Sequence, residues 1–179
     1  DTAVFYSISN CQPGLNNISF GNLLIKQVVQ ELQAEFPSIK TFVTLSPVPG
    51  FNRWLESEDL ENTAELDALK KEIAGLSFAD ATDETHQENI RKLVFNYLVH
   101  SKSRDKPRDP VARFHLGNGA TLHEVNAGAD HSDNGMQQSR GTMVNYLYDL
   151  SSIESNHEQF ALEGTVNFHP KLKPLLLTS

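Results

Sequence analysis

Residues 3–51 read as strand, glycine-containing loop, helix and strand in direct succession, and this order constrains the fold more than any other feature of the chain. Ala3 to Ser9 is rich in β-branched and aromatic side chains, the composition of a strand. Asn10 to Asn17 contains Pro13, Gly14 and several asparagines, which favour a loop. From Ser19 to Phe36 the apolar residues Phe20, Leu23, Leu24, Val28, Leu32 and Phe36 recur every three or four positions. That spacing predicts a helix with one buried face, capped by Ser19 and ended by Pro37. Lys40 to Leu45 is a second strand, stopped by Pro47, Pro49 and Gly50. Such a βαβ unit has one natural outcome, two parallel strands with the helix crossing one face. The expected class is therefore α/β.

The remaining sequence adds helices and short elements. Residues 56–100 read as amphipathic helix, with Leu66, Leu69 and Ile73 in one stretch and Ile90, Leu93, Val94 and Tyr97 in another. Residues 101–113 form a basic loop. Val111 to Leu116 reads as a short strand turned by Gly117-Asn118-Gly119, and Ala120 to Val125 as a strand or a helix start. Gln137 to Leu150 reads as helix, with Met143, Tyr146, Leu147 and Leu150 on one side. On a helix, positions two apart face different directions, which predicts that only one of Tyr146 and Tyr148 lies in the core. From Thr165 the chain reads as a tail.

Charge and cysteine content narrow the functions. With 15 basic and 23 acidic residues the net charge is −8, a poor basis for general nucleic-acid binding. A polyanionic ligand would be repelled at long range, so a phosphate site has to be built locally. The single cysteine, Cys11, allows neither an internal disulfide nor a cysteine-based zinc site, and it fits a reducing compartment. No apolar run reaches the ~20 residues needed to span a bilayer, and no secretory signal is evident at Asp1. A strand-like start without Met reads as a processed or excised piece of a longer protein.

Three positions are candidates for chemistry, each with a plainer alternative. The loop from Gln12 to Asn22 leads into a helix N-terminus, whose free N–H groups can hold an anion; it is otherwise an ordinary strand-to-helix connection. Ser46 sits at a strand end, where ligand crevices of parallel sheets open, and is stiffened by Pro47 and Pro49 after it; it is otherwise a Ser-Pro turn. No Gly-x-Ser-x-Gly elbow surrounds it, which disfavours a hydrolase nucleophile. His115 closes an apolar run just before Gly-Asn-Gly, where it is either catalytic or a satisfied structural histidine. None of the seven histidines has the His-x-x-x-His spacing of a metal-binding helix.

Four segments closely resemble malonyl-CoA decarboxylases: Phe5-Tyr-Ser-Ile-Ser-Asn-Cys-Gln-Pro-Gly-Leu15, Thr44-Leu-Ser-Pro-Val-Pro-Gly-Phe51, Phe114-His-Leu-Gly-Asn-Gly-Ala120 and Met143-Val-Asn-Tyr-Leu-Tyr-Asp-Leu150. The resemblance is strong over about 3–55 and 107–160 and weak over 56–105. It implies one catalytic-domain unit over 1–179, with 56–105 as a helical insertion and 165–179 as a tail. The implied fold is a GCN5-related N-acetyltransferase-type mixed sheet with flanking helices, incomplete on its N-terminal side. The resemblance further implies Ser46 and His115 as catalytic residues and Tyr148 as a neighbour of the thioester. Asn16, Asn17, Ile18, Ser19, Phe20, Gly21 and Asn22 fall on the family's pyrophosphate loop.

The activity so implied is conversion of malonyl-CoA to acetyl-CoA and carbon dioxide in fatty acid metabolism, with no cofactor, since the CoA thioester is the substrate and the electron sink. His115 is expected to deliver the proton and Ser46 to orient the malonyl end. Malonyl-CoA and acetyl-CoA are the expected partners, without nucleic acid or membrane. The parent protein is expected to be a homo-oligomer in the cytoplasm, or in mitochondria or peroxisomes of a eukaryote. The alternatives are an acyl-CoA N-acetyltransferase and a non-catalytic CoA-binding module. The missing earlier strands predict an exposed sheet edge along Phe5 to Ser9 or its neighbour.

Overall fold

The computed structural model describes residues 1–6, 20–57, 63–77 and 83–177; the side chains of 20–23 fall outside that description. Strands β1 (Thr2–Tyr6) and β2 (Thr41–Pro47) pair in parallel, from Thr2 opposite Thr41 to Tyr6 opposite Leu45. Helix α1 (Phe20–Glu35) crosses between them, as the βαβ pattern requires. Its buried row is Ile25 and Val29, with Leu32 partly covered, whereas Leu24 and Phe36 are 58% and 45% exposed. Two apolar rows run along this helix at the same spacing, and periodicity alone does not say which one the sheet covers.

The sheet order is β1-β2-β6-β5, with β6 (Met143–Leu147) antiparallel to both β2 and β5 (Thr121–Asn126). This is a mixed sheet with flanking helices, the class expected. β1 is an edge: among the described residues it pairs only with β2, and its Val4 and Tyr6 are 50% and 75% exposed. The uncovered edge expected along Phe5 is therefore present over β1; residues 7–9 lie outside the described chain.

Helices α2 (Phe51–Leu55), α3 (Ala64–Ala74), α4 (Glu84–His100), α5 (Pro110–Gly117), α6 (Asp133–Ser139) and α7 (Ile153–Glu163) complete the fold. The helical reading of 56–100 holds in α3 and α4, each started by a side-chain cap, Thr63 and Asp83. The basic segment contains a hairpin, β3 (Lys102–Ser103) and β4 (Lys106–Pro107), turned through Arg104 and Asp105 at φ 53 and 65. Both turn residues are left-handed, as a two-residue hairpin with native twist demands. The C-terminal segment is packed rather than loose. Leu172 and Leu175 of a short 3-10 helix (Pro170–Leu175) are buried, and Asn96 bonds Leu175 O and Leu177 N at 2.8 and 3.1 Å.

Two elements near the candidate site differ from the sequence reading. Residues 110–117 are helix, not strand. Asp109 caps this helix through Val111 N and Ala112 N, each at 3.0 Å, and Pro110 occupies its first turn, where a missing N–H is harmless. Residues 143–147 are strand, not helix. α6 stops at Arg140 (φ 50) and Gly141 (φ 74), and the chain then enters the sheet. Among the described residues, no helix is long and apolar enough to cross a membrane.

Candidate active site

Strand alternation turns Thr44 and Ser46 to one face of β2, and Tyr146 and Tyr148 to one face of β6 and its continuation. The helix α5 lays His115 between them. All of these side chains are 4% exposed or less. Tyr146 and Tyr148 are both at 1%, which corrects the expectation that only one would be in the core; on a strand, positions two apart share a face.

The polar groups form one chain of hydrogen bonds. Tyr148 OH lies 2.7 Å from His115 Nδ1, His115 Nε2 lies 3.1 Å from Ser46 Oγ, and Ser46 Oγ donates to Thr44 Oγ1 at 2.8 Å. Because Ser46 gives its proton to Thr44, its oxygen accepts from His115. Nε2 then carries the imidazole proton, and Nδ1 accepts from the tyrosine. The ring is further fixed by stacking on Tyr146, with centroids 4.6 Å apart and planes 21° from parallel. Thr44 Oγ1 also accepts the Tyr146 backbone N–H at 3.1 Å, and Asn145 Nδ2 bonds Thr44 O at 2.6 Å. At the level of the site, side chains thus take over part of the bonding between β2 and β6.

Burial keeps this chain uncharged. Desolvation pushes the His115 pKa down to about 4, so the free imidazole is neutral at ordinary pH. The same effect raises Tyr148 and Tyr146 far above the usual phenol range, so both stay protonated. Asn118 approaches the Tyr148 hydroxyl and slightly opposes its shift, although its Nδ2 makes no hydrogen bond of normal geometry.

A family model described as malonyl-CoA decarboxylase C-terminal domain matches residues 1–179. The chain belongs to that family. Mitochondrial malonyl-CoA decarboxylases of the goose Anser anser anser and of Rattus norvegicus are 38% and 36% identical to it, over 87% and 86% of this chain and 36% of each relative. Crystal structures of malonyl-CoA decarboxylases from Cupriavidus metallidurans and Agrobacterium vitis superpose with TM-scores of 0.83 at 39% and 44% identity. They cover 98% and 99% of this chain, which in turn covers 48% and 46% of them. The chain thus spans about a third of the length of those curated relatives and just under half of the solved chains.

Of the positions singled out from the malonyl-CoA decarboxylase resemblance, the structure brings Ser46, His115 and Tyr148 into direct contact. Asn16, Asn17, Ile18 and Ser19 lie outside the described residues, while Phe20, Gly21 and Asn22 form the first turn of α1. A cavity of about 560 Å³ opens at the other end of β2, beside Lys40, Phe42, His123, Asp149 and His169. Tyr148 lines it, but Ser46 and His115 do not. Among the described residues, no group of three or more His, Cys, Asp or Glu is arranged to hold a metal ion. Sequence reasoning passed over Thr44, Asp109 and the stacking role of Tyr146. Thr44 was marked only by standing two positions before Ser46 on a strand, and Asp109 only by preceding a proline.

Proposed function

We propose that the protein containing this chain decarboxylates malonyl-CoA to acetyl-CoA and carbon dioxide, with Ser46 and His115 performing the chemistry. The observation that carries this reading is the bonded chain Tyr148–His115–Ser46–Thr44 in a buried, uncharged setting. Breaking the bond from the malonyl carboxylate carbon to the α-carbon releases neutral carbon dioxide. The electron pair stays on the α-carbon and is delocalised onto the thioester oxygen. One proton must then reach that carbon. A metal or organic cofactor is unnecessary because the thioester itself accepts the electrons.

His115 is the proton donor in this proposal. Its free imidazole is neutral down to about pH 4, but a bound malonyl carboxylate supplies the negative charge that favours imidazolium. The Tyr148 hydroxyl accommodates both states, donating to a bare Nδ1 and accepting from a protonated one. Ser46 orients the malonyl end by turning the hydroxyl proton that it gives to Thr44 in the free site toward the substrate carboxylate. A buried donor already aligned by neighbours needs little reorganisation as charge develops. The backbone amides at the start of α1 bind the CoA pyrophosphate, supported by the positive end of a 16-residue helix.

In the metabolic setting, we propose that this activity sets the malonyl-CoA level in fatty acid metabolism, in a cytoplasmic homo-oligomer. Incubation of the full-length enzyme with malonyl-CoA and no acceptor amine is expected to yield acetyl-CoA and carbon dioxide. His115→Ala and Ser46→Ala are expected to lower turnover by ~10²–10⁴, the usual range for general acid–base work. Near-normal turnover in His115→Ala would remove that residue from the mechanism.

A further inference from the structure

The two reacting side chains belong to different elements. Ser46 lies one residue before the end of β2, whereas His115 lies on α5, and their 3.1 Å contact joins residues 69 positions apart. A donor–acceptor distance of this kind tolerates shifts of only a few tenths of an ångström before the bond weakens. Some feature must hold the end of β2 and its following turn against the start of α5. A polar contact able to do so among the described residues is the carboxylate of Asp109, which is 1% exposed.

Its two oxygens serve two elements. Oδ1 accepts from Val111 N and Ala112 N, both at 3.0 Å, and so caps α5. Oδ2 accepts from Gly50 N at 3.1 Å. Gly50 lies in the Pro47-Val48-Pro49-Gly50 turn that directly follows Ser46, and it stands at the N-terminus of α2. The carboxylate thus links the turn after the serine to the first turn of the histidine helix.

The surroundings leave no slack. A Cβ on Gly50 would strike the Tyr97 hydroxyl and lie 3.3 Å from Asp109 Oδ2. Tyr97 itself is buried at 1% and packs its ring on Trp54 and Phe51 at centroid distances of 5.0 and 6.0 Å. Burial pushes the Asp109 carboxyl up, while the N–H groups of Ala112, Gly50 and Val111 and the charge of Arg113 favour its ionised form.

We propose that Asp109 is a positioning residue for the reaction, setting the Ser46–His115 separation by binding the β2 turn and the α5 N-terminus with one carboxylate. The proposal rests on the assignment of Ser46 and His115 as the reacting pair. It concerns a residue that touches neither substrate nor reacting atoms, and it makes a chemical demand: two acceptor oxygens, aimed in two directions.

The test uses Asp109→Asn in the full-length enzyme. An amide has one acceptor oxygen, so it can serve α5 or Gly50 but not both. The shape is retained, and two of the three bonds survive in one orientation. The expected result is a kcat reduced at least tenfold with the KM for malonyl-CoA within about threefold of wild type. Asp109→Ser, which keeps the helix cap but cannot reach Gly50, is expected to show the same split while melting close to Asp109→Asn. A merely structural role would lower the melting temperature and leave kcat per folded enzyme unchanged.

The decisive measurement is a double-mutant comparison. If Asp109 acts through the serine–histidine geometry, Asp109→Asn costs little further kcat in a Ser46→Ala background. Full additivity of the two losses, or a kcat within twofold of wild type in Asp109→Asn, overturns the proposal. Should the Asp109 variants fail to fold, as judged by circular dichroism, Gly50→Ala decides. It strains the same link from the other side, and wild-type kcat in that variant overturns the proposal equally. Failure of the underlying assignment looks different, since Ser46→Ala and His115→Ala would then themselves be fully active.

Discussion

Replacing Thr44 by valine removes one hydroxyl from the interior and changes little else in shape. The residue is fully buried, and its Oγ1 accepts from Ser46 Oγ at 2.8 Å and from Tyr146 N at 3.1 Å. Without it, a buried backbone N–H has no acceptor, which costs about 1–3 kcal/mol. Loss of the serine bond adds about 1 kcal/mol. The full-length enzyme is therefore expected to lose about 2–4 kcal/mol of stability on the same scale. The larger consequence is chemical. Ser46 then loses the acceptor for its proton, and the bond that aims its oxygen at His115 Nε2 is no longer fixed from behind. A serine and a histidine whose mutual orientation is no longer fixed forfeit the positioning on which general acid–base help, worth ~10²–10⁴ in rate, depends. Release of carbon dioxide from malonyl-CoA should fall by at least about 10² in Thr44→Val on that scale. Thr44→Ser keeps the hydroxyl and should stay within a few-fold of wild type. If Thr44→Val turns over within twofold of wild type while melting earlier, the Thr44 hydroxyl is not part of catalysis.

Further outcomes follow from the same structure. The His115 pKa is depressed from 6.5 to about 4. The unfolded chain therefore takes up its proton first as the pH falls, so the stability held by the neutral ring is complete above pH 6.5 and lost progressively towards pH 4. The total is ~3 kcal/mol. Melting curves of wild type and His115→Gln across this range should diverge, the variant being flatter, and parallel curves would contradict it. Phe20→Pro places a proline at the first position of α1, where the helix tolerates it, and deletes one N–H from the proposed pyrophosphate site. Calorimetry should show CoA binding weakened about tenfold, as for loss of a hydrogen bond to a charged group. Unchanged affinity would remove that amide from the site. The isolated 179-residue chain should associate through β1, whose Val4 and Tyr6 are exposed, and Val4→Lys with Tyr6→Lys should reduce its light scattering.

The parallel β1–β2 unit was legible because its period, its breakers and its length all agreed, and Ser46 was found where that unit ends. His115 was singled out as a candidate but assigned to the wrong element. Val111 to Leu116 looks strand-like by composition, and the deciding signal lay outside the run, in Asp109 as cap and Pro110 after it. Met143 to Leu147 failed in the opposite sense. Five residues are too few to separate the two periods, and pairing on both sides by β2 and β5 settles the matter only in three dimensions. The error carried over to Tyr146 and Tyr148, which a helix would separate and a strand sets side by side against the histidine. Contacts such as Thr44 with Tyr146, 102 positions apart, leave no local trace in the sequence.

That separation also fixes when the site comes into being. The bonds from Thr44 to Asn145 and Tyr146 close loops of 101 and 102 residues, and the Ser46–His115 bond closes one of 69. Closing a chain segment of about 100 residues costs roughly 4 kcal/mol in loop entropy beyond a constant, before any contact compensates it. Helices such as α4 and α5 form within microseconds from neighbouring residues, whereas β6 can meet β2 only after everything between them has been gathered in. During refolding, helical circular dichroism should therefore return ahead of the hydroxyl–imidazole chain. A collapsed intermediate would hold its helices and much of its core while the serine and the histidine still had no fixed distance between them.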